Sequence, residues 1–379
     1  MCTRQLIGAT VLGTAIAMLV PAPGHAEPYL TVRTGAKCSD CHSNLTGGGK
    51  RTPFPYIHAH DVLHDLQILP LPARVKSYDG QIFSRLSLGG DLRVRNKTQW
   101  SDNPDAQGRV RENRAFRGHV DFNETDIHEA LLYGQLDLWP DVLSVYLDED
   151  VTSGATTREV FALLRGVLPL DGYVKAGRFF TPFGLELHDD EGFVRANGGA
   201  TFQNSDEGVE IGIMPGPFFL TAAVTDGVQG DTDVQSAINA YAVIDDVPVV
   251  RSVLAGASYL RQASDRYAAA WYAGTNLWHF TMLGEFVLID DRSDTAAADD
   301  QFASYAEVDF LAFDWLNVRG IFEFLKVANQ RNRTHYAIGL EPFIDVFLQP
   351  RIQYRINNAP GSEPDLNTTE LVFELHVWF

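Results

Sequence analysis

The residues best suited to chemistry are Cys38, Cys41 and His42, which stand together in the pentapeptide CSDCH. The chain has three cysteines, and the third, Cys2, lies at the extreme N-terminus. Cys-x-x-Cys-His is the attachment motif of c-type haem: each thiol forms a thioether with a vinyl group, and the histidine coordinates the iron from one face. We therefore predict one covalently attached haem c with His42 as its proximal ligand.

Three other interpretations of the motif stay open. In an oxidising compartment the two thiols would form a structural disulfide. A thioredoxin-like redox centre would need a βαβ context, which the surrounding sequence does not offer. A zinc site would use Cys38, Cys41 and nearby histidines.

The second axial ligand of such a haem is commonly Met or His. Met214 and Met282 fall in predicted strands, whereas the segment YIHAHDVLHDL is rich in histidine. Its three candidates are His58, His60 and His64. We predict bis-histidine ligation with His60 and His58 leading, and His64 as either a ligand or a solvated surface residue. A six-coordinate iron favours electron transfer, whereas peroxide chemistry needs an open axial site.

The N-terminal residues predict export. Arg4 precedes an apolar run from Leu6 to Val20, and small residues follow up to Ala26. This is the layout of a secretory signal peptide cut before Glu27. The run is shorter than the roughly 20 residues that a membrane-spanning helix needs. The whole chain carries a net charge of −19, which is a poor match for phosphates, so we predict no nucleic-acid partner.

Most of the chain predicts β-strands. In TELVFELHVWF, apolar residues from Leu371 to Phe379 alternate with Glu370, Glu374 and His376. This period-two pattern, closed by a terminal Phe, resembles the end of bacterial outer-membrane barrels. Segments of similar length recur from about residue 84, seventeen by count, and barrels normally have an even number. We predict an all-β fold, a transmembrane antiparallel β-barrel of about 16 strands, with a soluble sandwich as the alternative.

These patterns divide the chain into three parts. Residues 1–26 form the signal peptide, 27–80 a small c-type haem segment with a Pro-rich linker, and 81–379 the barrel. The haem segment has few large apolar residues and must lean on a cofactor or a neighbour. We expect it to lie against or inside the barrel lumen, entering from the periplasmic side. The glycines Gly47 to Gly49 would permit a tight turn or close approach to a flat ring.

Two resemblances refine the functional prediction. YVKAGRFFTPFGLEL, from Tyr173 to Leu187, resembles a strand and turn of the phosphate-selective porin family. The whole layout resembles the monohaem cytochrome–porin fusions of the bacterial outer membrane, whose best-described members oxidise iron. At residue level this second resemblance covers the Cys-x-x-Cys-His motif.

The cytochrome–porin resemblance implies an electron-transfer protein in the lipid of the outer membrane. It would exchange electrons between an extracellular metal ion or other redox partner and a periplasmic cytochrome or similar carrier. We expect an electron carrier rather than a substrate-turnover enzyme, with Fe(II) oxidation as the exception. Acidic residues of one outer loop would gather metal cations or simply be solvated: Asp290, Asp291, Asp294, Asp299 and Asp300. The alternative function is a passive porin in which the haem segment is a plug or sensor.

Overall fold

The computed structural model describes residues 27–52, 66, 69, 78, 80–101, 119–187, 192–202, 204–227, 234–262, 266–292, 299–328, 332–345, 347–358 and 367–379. The predicted signal peptide lies outside these residues. So do the candidate distal ligands His58, His60 and His64.

The described chain is dominated by one antiparallel sheet. Its strands are β1 (Gln81–Phe83), β2 (Leu86–Ser101), β3 (His119–Trp139), β4 (Leu143–Asp150), β5 (Thr156–Leu168), β6 (Gly172–Phe180), β7 (Ser205–Ile213), β8 (Phe218–Thr225), β9 (Gln235–Asp245), β10 (Ser252–Gln262), β11 (Arg266–Leu277), β12 (Phe280–Asp291), β13 (Asp299–Phe313), β14 (Leu316–Val327), β15 (Arg333–Pro342), β16 (Leu348–Asn358) and β17 (Thr368–Trp378).

Strands β2 to β17 form a closed barrel. Each pairs antiparallel with its neighbours in sequence, and the ring closes where β17 pairs with β2, from Thr368 opposite Ser101 to Trp378 opposite Asp91. The short β1 pairs with β2 as a hairpin arm. The predicted all-β barrel of sixteen strands is confirmed. The first half of β3 escaped prediction, because residues 119–131 do not alternate cleanly.

The outer face of the barrel is apolar, whereas the inner face carries charged and polar side chains together with a buried apolar cluster. In β17, Phe373 and Leu375 are each 44% exposed, whereas Glu370 and His376 point inward and are buried. The other strands also place large apolar side chains outside. Their inward side chains are partly charged or polar, such as Glu159 and Lys175, and partly apolar or aromatic, such as Tyr146, Leu254 and Val287. A soluble sandwich would bury its apolar faces, so this arrangement suits a lipid surround and excludes that alternative. Among the described residues, no helix is long and apolar enough to cross a membrane.

The sequence also predicts an interfacial aromatic girdle from four tryptophans at strand ends, Trp100, Trp139, Trp315 and Trp378, and this prediction is only partly correct. Trp139 ends its strand and is 69% exposed, as an interfacial residue should be. Trp100 and Trp378 were expected in the same girdle, but both are buried, and Trp378 lies on the inner face opposite Asp91. Trp378 lies beside His376, with ring centroids 4.7 Å apart and ring planes tilted by 56°. Position at a strand end therefore did not decide which face of the strand a tryptophan occupies.

The two ends of the barrel differ. Hairpins such as β5–β6 and β11–β12 close one end with short turns, whereas the connections at the other end are generally longer, so the short-turn end is the periplasmic one. The β6–β7 connection, of which residues 181–187, 192–202 and 204 are described, carries helix α3 (Phe193–Gly198) inside the lumen against β12, β13 and β14. We call it the inward loop. It begins with the predicted Pro-Phe-Gly turn, where the Gly184 N–H donates to Ser258 Oγ at 2.9 Å.

Residues 27–52 lie inside the barrel, and we call them the plug. Helix α1 (Pro28–Thr34) packs against the inner face of β9 to β12, and helix α2 (Cys38–Cys41) follows it. Arg33 donates to Asn317 Oδ1 of β14 at 2.8 Å. On the other side, Asn44 donates to Glu159 Oε1 of β5 at 3.0 Å. The plug thus crosses the lumen from one wall to another.

Candidate functional site

The Cys-x-x-Cys-His motif forms a single helical turn. The Lys37 N–H donates to Asp40 Oδ2 at 2.8 Å, which caps the start of α2. The His42 N–H donates to the Cys38 carbonyl at 2.9 Å and ends the turn. Three-residue spacing on a helical turn places both thiols on one side. Both are free thiols, so the structure does not contain the disulfide considered above.

His42 is a buried, neutral imidazole. It is 4% exposed, and its Nδ1 has no hydrogen-bond partner among the described residues. Burial, followed by the Arg51 guanidinium, lowers the pKa of His42 to about 3. A neutral imidazole is the form that ligates metals. A buried nitrogen normally has a hydrogen-bond partner. Coordination of a metal ion would satisfy Nδ1 in place of a hydrogen bond.

A small cavity separates the plug from the inward loop. Cys38, His42 and Gly47 line one side, and Glu186 of the inward loop and Tyr241 of β9 line the other. Its volume is about 60 Å³, less than the roughly 150 Å³ of an engineered cavity that holds benzene. This space does not hold a macrocycle. The residue types, two free thiols and an imidazole, are those that hold a c-type haem, but the closed space beside them does not fit the group.

Three described histidines have partners elsewhere in the barrel. His376 contacts Asp91 Oδ2 at 2.8 Å, and His335 lies 3.3 Å from Glu323. His128 lies 3.3 Å from Arg95. Met282 is 37% exposed on the outer face of β12. The predicted distal ligands lie outside the described residues, so bis-histidine ligation stays a prediction.

No group of three or more metal-ligating side chains occurs among the described residues. A zinc site at the motif therefore depends on the histidines of 58–64. In the acidic outer loop, Arg292 lies 2.7 Å from Asp290 and Arg266 lies 3.1 Å from Asp291. These two aspartates are thus paired with arginines within the fold.

The first described residue of the plug occupies an arginine-lined site that sequence reasoning missed. The Glu27 carboxylate accepts hydrogen bonds from the guanidinium groups of Arg319 and Arg351. Burial acts to raise the pKa of this carboxyl, but the two arginines outweigh it and lower the pKa to about 2. Tyr29 lies under Arg319, 4.8 Å from ring centroid to guanidinium carbon. No local sequence signal marks a partner almost three hundred residues away.

A charged cavity of about 410 Å³ lies in the lumen beside the plug. Glu27 and Tyr29 form its floor on the plug side. Its walls carry arginines from four strands: Arg93, Arg95, Arg158, Arg319, Arg351 and Arg355. Carboxylates such as Glu129, which lies 3.2 Å from Arg93, balance them. The overall acidity of the chain therefore did not reveal the mixed charge of its lumen.

The triple glycine forms the predicted tight turn. Gly47, Gly48 and Gly49 have φ of +119°, +72° and +64°, values that other residues rarely adopt. A Cβ on Gly47 would overlap Glu186 Oε2 of the inward loop, and one on Gly49 would overlap the Tyr146 hydroxyl of β4. The glycines thus let the plug backbone approach the lumen surfaces closely.

We predict that the two thiols of the haem-free protein react slowly with iodoacetamide. Burial, followed by Glu186, raises the pKa of Cys38 from 9.0 to about 11. Burial, followed by Cys38 and Asp40, raises that of Cys41 from 9.0 to about 12. The thiolate is the reactive form, so at pH 8 alkylation should be at least tenfold slower than in unfolded protein and should accelerate up to about pH 11. Equal rates before and after unfolding would show that the plug is not docked.

Comparison with known proteins identifies relatives by structure. No protein-family model matches the chain, and no curated protein matches it by sequence. Pseudomonas putida OprB at high pH aligns with TM-score 0.60 and 11% identity over 78% of this chain and 94% of its own. The loop L8 deletion mutant of OmpT, an outer-membrane protein of Vibrio cholerae, aligns with TM-score 0.53 and 9% identity over 78% and 100%. The anion-selective porin from Comamonas acidovorans gives 0.52 and 12% over 78% and 99%.

At these identities the likeness concerns the fold. It confirms the predicted closed barrel of the outer-membrane porin type. The resemblance of residues 173–187 to the phosphate-selective porin family and the predicted cytochrome fusion are not tested by these alignments and stay predictions.

Proposed function

We propose that the protein is a porin-like channel of the bacterial outer membrane whose lumen is occupied, on its periplasmic side, by a haem-carrying plug. Cys38 and Cys41 hold one covalent haem c, and His42 is its proximal ligand. The plug limits solute flow through the barrel and makes it dependent on the state of the haem segment. The fold of the structural relatives supports the channel, and the donor set of the motif supports the haem.

One observation carries the proposal: the plug is fastened to opposite walls of the lumen. Glu27 binds Arg319 of β14, and Lys175 of β6 donates to Asn44 Oδ1 at 3.0 Å. Strands β6 and β14 are eight apart in a ring of sixteen, so these anchors face each other. Sixteen-stranded porins otherwise leave an aqueous channel. A segment fastened in this way restricts that channel.

The haem contributes one-electron redox chemistry when bound. The chain contributes the environment of that group. The one-turn helix α2 holds the two thiols in register, burial keeps His42 neutral, and the plug anchors fix the motif near the short-turn end. There Lys37 donates to the Gly216 carbonyl in the β7–β8 turn.

Electron exchange with a periplasmic carrier is the second candidate, because the motif lies at the periplasmic mouth. Asp40 is exposed and Cys41 partly so, which leaves this side of α2 open to a docking protein. The hydrocarbon layer is about 30 Å thick, so one haem at the mouth does not bridge it. An extracellular redox partner would have to be small enough to enter the charged cavity.

The haem assignment is tested on protein purified from outer membranes. We expect a pyridine haemochrome spectrum and haem staining that survives denaturing electrophoresis, both lost in the Cys38→Ala/Cys41→Ala variant. A matched control is Ser39→Ala, which alters the same turn but leaves the thiols. A wild-type protein without thioether-linked haem contradicts the proposal, whereas zinc in its place would favour the zinc interpretation.

A further inference from the structure

We infer that the guanidinium groups of Arg319 and Arg351 form a binding site for a small carboxylate solute, and that Glu27 of the plug occupies this site as a tethered ligand. A carboxylate that enters the charged cavity then competes with Glu27 and weakens the docking of the plug. The inference rests on the channel part of the proposed function and is independent of the haem.

The barrel wall holds the first of the two arginines in place. The Arg319 guanidinium donates through Nη2 to Glu27 Oε2. Its Nε lies 3.2 Å from Asp309 Oδ1 of β13, and its Nη1 lies 2.9 Å from Glu341 Oε1 of β15. The two flanking strands therefore fix the plane of the guanidinium and direct Nη2 at the plug.

Arg351 of β16 repeats this arrangement. Its Nε donates to Gln349 Oε1 at 3.0 Å, its Nη1 lies 3.5 Å from Glu374 Oε1, and its Nη2 donates to Glu27 Oε1. The site thus presents one Nη2 donor from each arginine to the two oxygens of a single carboxylate. A phosphate would bring a third acceptor oxygen and more negative charge, which the surrounding carboxylates disfavour. The geometry therefore selects a carboxylate.

The site keeps a carboxylate ionised although it is buried. Glu27 is 5% exposed, and burial by itself raises the pKa of a carboxyl group. Arg319 and Arg351 outweigh this effect and lower the pKa of Glu27 to about 2. The same two guanidinium groups would stabilise the charge of a solute carboxylate in the same position.

The site opens onto the charged cavity, so a solute can reach it. Glu27, Arg319 and Arg351 all line this space of about 410 Å³, which lies within the roughly 300–1,000 Å³ of small-molecule sites. Among the described lining residues, six arginines face six acidic side chains, one of which is Glu27. Once Glu27 leaves, the lining carries an excess of one positive formal charge, which a solute carboxylate balances.

Displacement of Glu27 bears on the docking of the whole first helix of the plug. Helix α1 begins directly after Glu27, and Arg33 near its end donates to Asn317 Oδ1 at 2.8 Å. Asn317 Nδ2 donates in turn to Asp309 Oδ1 at 2.7 Å, the carboxylate that also holds Arg319. Both anchors of α1 therefore depend on one polar network of the wall, so loss of the first anchor weakens the second.

The test removes the tethered carboxylate and supplies a free one. Propionate has the chemistry of the glutamate side chain and is the probe, and binding to full-length protein from outer membranes is measured by saturation-transfer NMR. A tethered group competes at an effective concentration on the order of millimolar. We therefore expect Glu27→Ala to bind propionate at least about tenfold more tightly than wild type. Propionamide, which has the same shape without the charge, should not bind.

Two further variants, both made in the Glu27→Ala background, locate the binding. Arg351→Gln removes one of the two donors and should weaken propionate binding about tenfold, since a hydrogen bond to a charged group is lost. Arg355→Gln is the matched control, because Arg355 lines the same cavity four residues further along β16, about 13 Å away. It should change the affinity little. Equal losses in the two variants would reveal only a general attraction to a basic wall and would overturn the inference.

The remaining outcomes separate this inference from the channel proposal. Propionate should raise the conductance of wild type but not that of the variant lacking residues 27–52. If that deletion opens the channel but Glu27→Ala binds propionate no better than wild type, the carboxylate site is refuted and the channel stands. If the deletion leaves conductance unchanged while Glu27→Ala binds propionate, the channel proposal fails and the site stands. Heat-modifiable mobility checks folding, and if Arg351→Gln does not fold, the comparison of Glu27→Ala with wild type decides.

Discussion

A variant lacking residues 27–52 should conduct ions several-fold better than the full-length protein in planar lipid bilayers. The deleted segment fills the periplasmic side of a barrel of a size that otherwise leaves an aqueous channel. The strands themselves pair only with each other around the closed ring, so the wall does not depend on the plug for its hydrogen bonds. Single-channel conductance at fixed salt measures the change.

The deletion needs a control for barrel damage. The inward loop is held by its own bonds to the wall, such as the Phe193 N–H to Glu323 Oε2 at 2.6 Å, so it should stay in place in the deletion variant. Heat-modifiable mobility should match that of wild type. If the intact barrel conducts no better without residues 27–52, the plug does not limit flow, and the channel proposal must be revised.

The fold was predictable because its physical signal repeats along the chain. Side chains of a strand in a lipid-facing barrel point alternately to the lipid and to the lumen. The two faces of β17 can therefore be recognised from the alternation of apolar and polar residues in its sequence. The tryptophans show the limit of that signal, since Trp378 and Trp139 both end strands but lie on opposite faces. Pattern locates a strand, whereas the register of pairing decides what each side chain meets.

The site was predictable in its chemistry but not in its surroundings. Cys38, Cys41 and His42 are adjacent in sequence, so their common turn follows from spacing alone. The partners of the plug are distant: Tyr146 lies 96 residues from Lys50, and Arg351 lies 324 residues from Glu27. Contacts at such separations depend on the closure of the strand ring. No short segment of the sequence shows which distant residues that closure brings together. The three consecutive glycines gave a partial indication, because glycine permits a tight turn and a close approach of the backbone to a neighbouring surface.

Glu27 provides the second large expected effect. Replacing it with lysine should release one end of the plug, because a third cation would face Arg319 and Arg351 where the carboxylate now sits. Breaking a buried ion pair typically costs about 3–5 kcal/mol, and placing like charges together adds to that. We expect Glu27→Lys to raise conductance and to expose Arg33 and Lys37 to trypsin.

Glu27→Gln is the matched control, since it keeps the shape and removes only the charge. It should weaken docking less than lysine does, because an amide oxygen still accepts from one guanidinium. Pairing Glu27→Lys with Arg351→Glu restores opposite charges across the site and should return trypsin resistance toward the wild-type level. If all three variants resist trypsin as wild type does, the anchor at β14 and β16 is not what holds the plug, and the Asn44–Lys175 contacts must suffice. If trypsin resistance is lost in Glu27→Lys and returns in Glu27→Lys/Arg351→Glu, the plug is fastened by the specific pair of residues 27 and 351. A general attraction between an acidic chain and a basic wall would not produce this rescue.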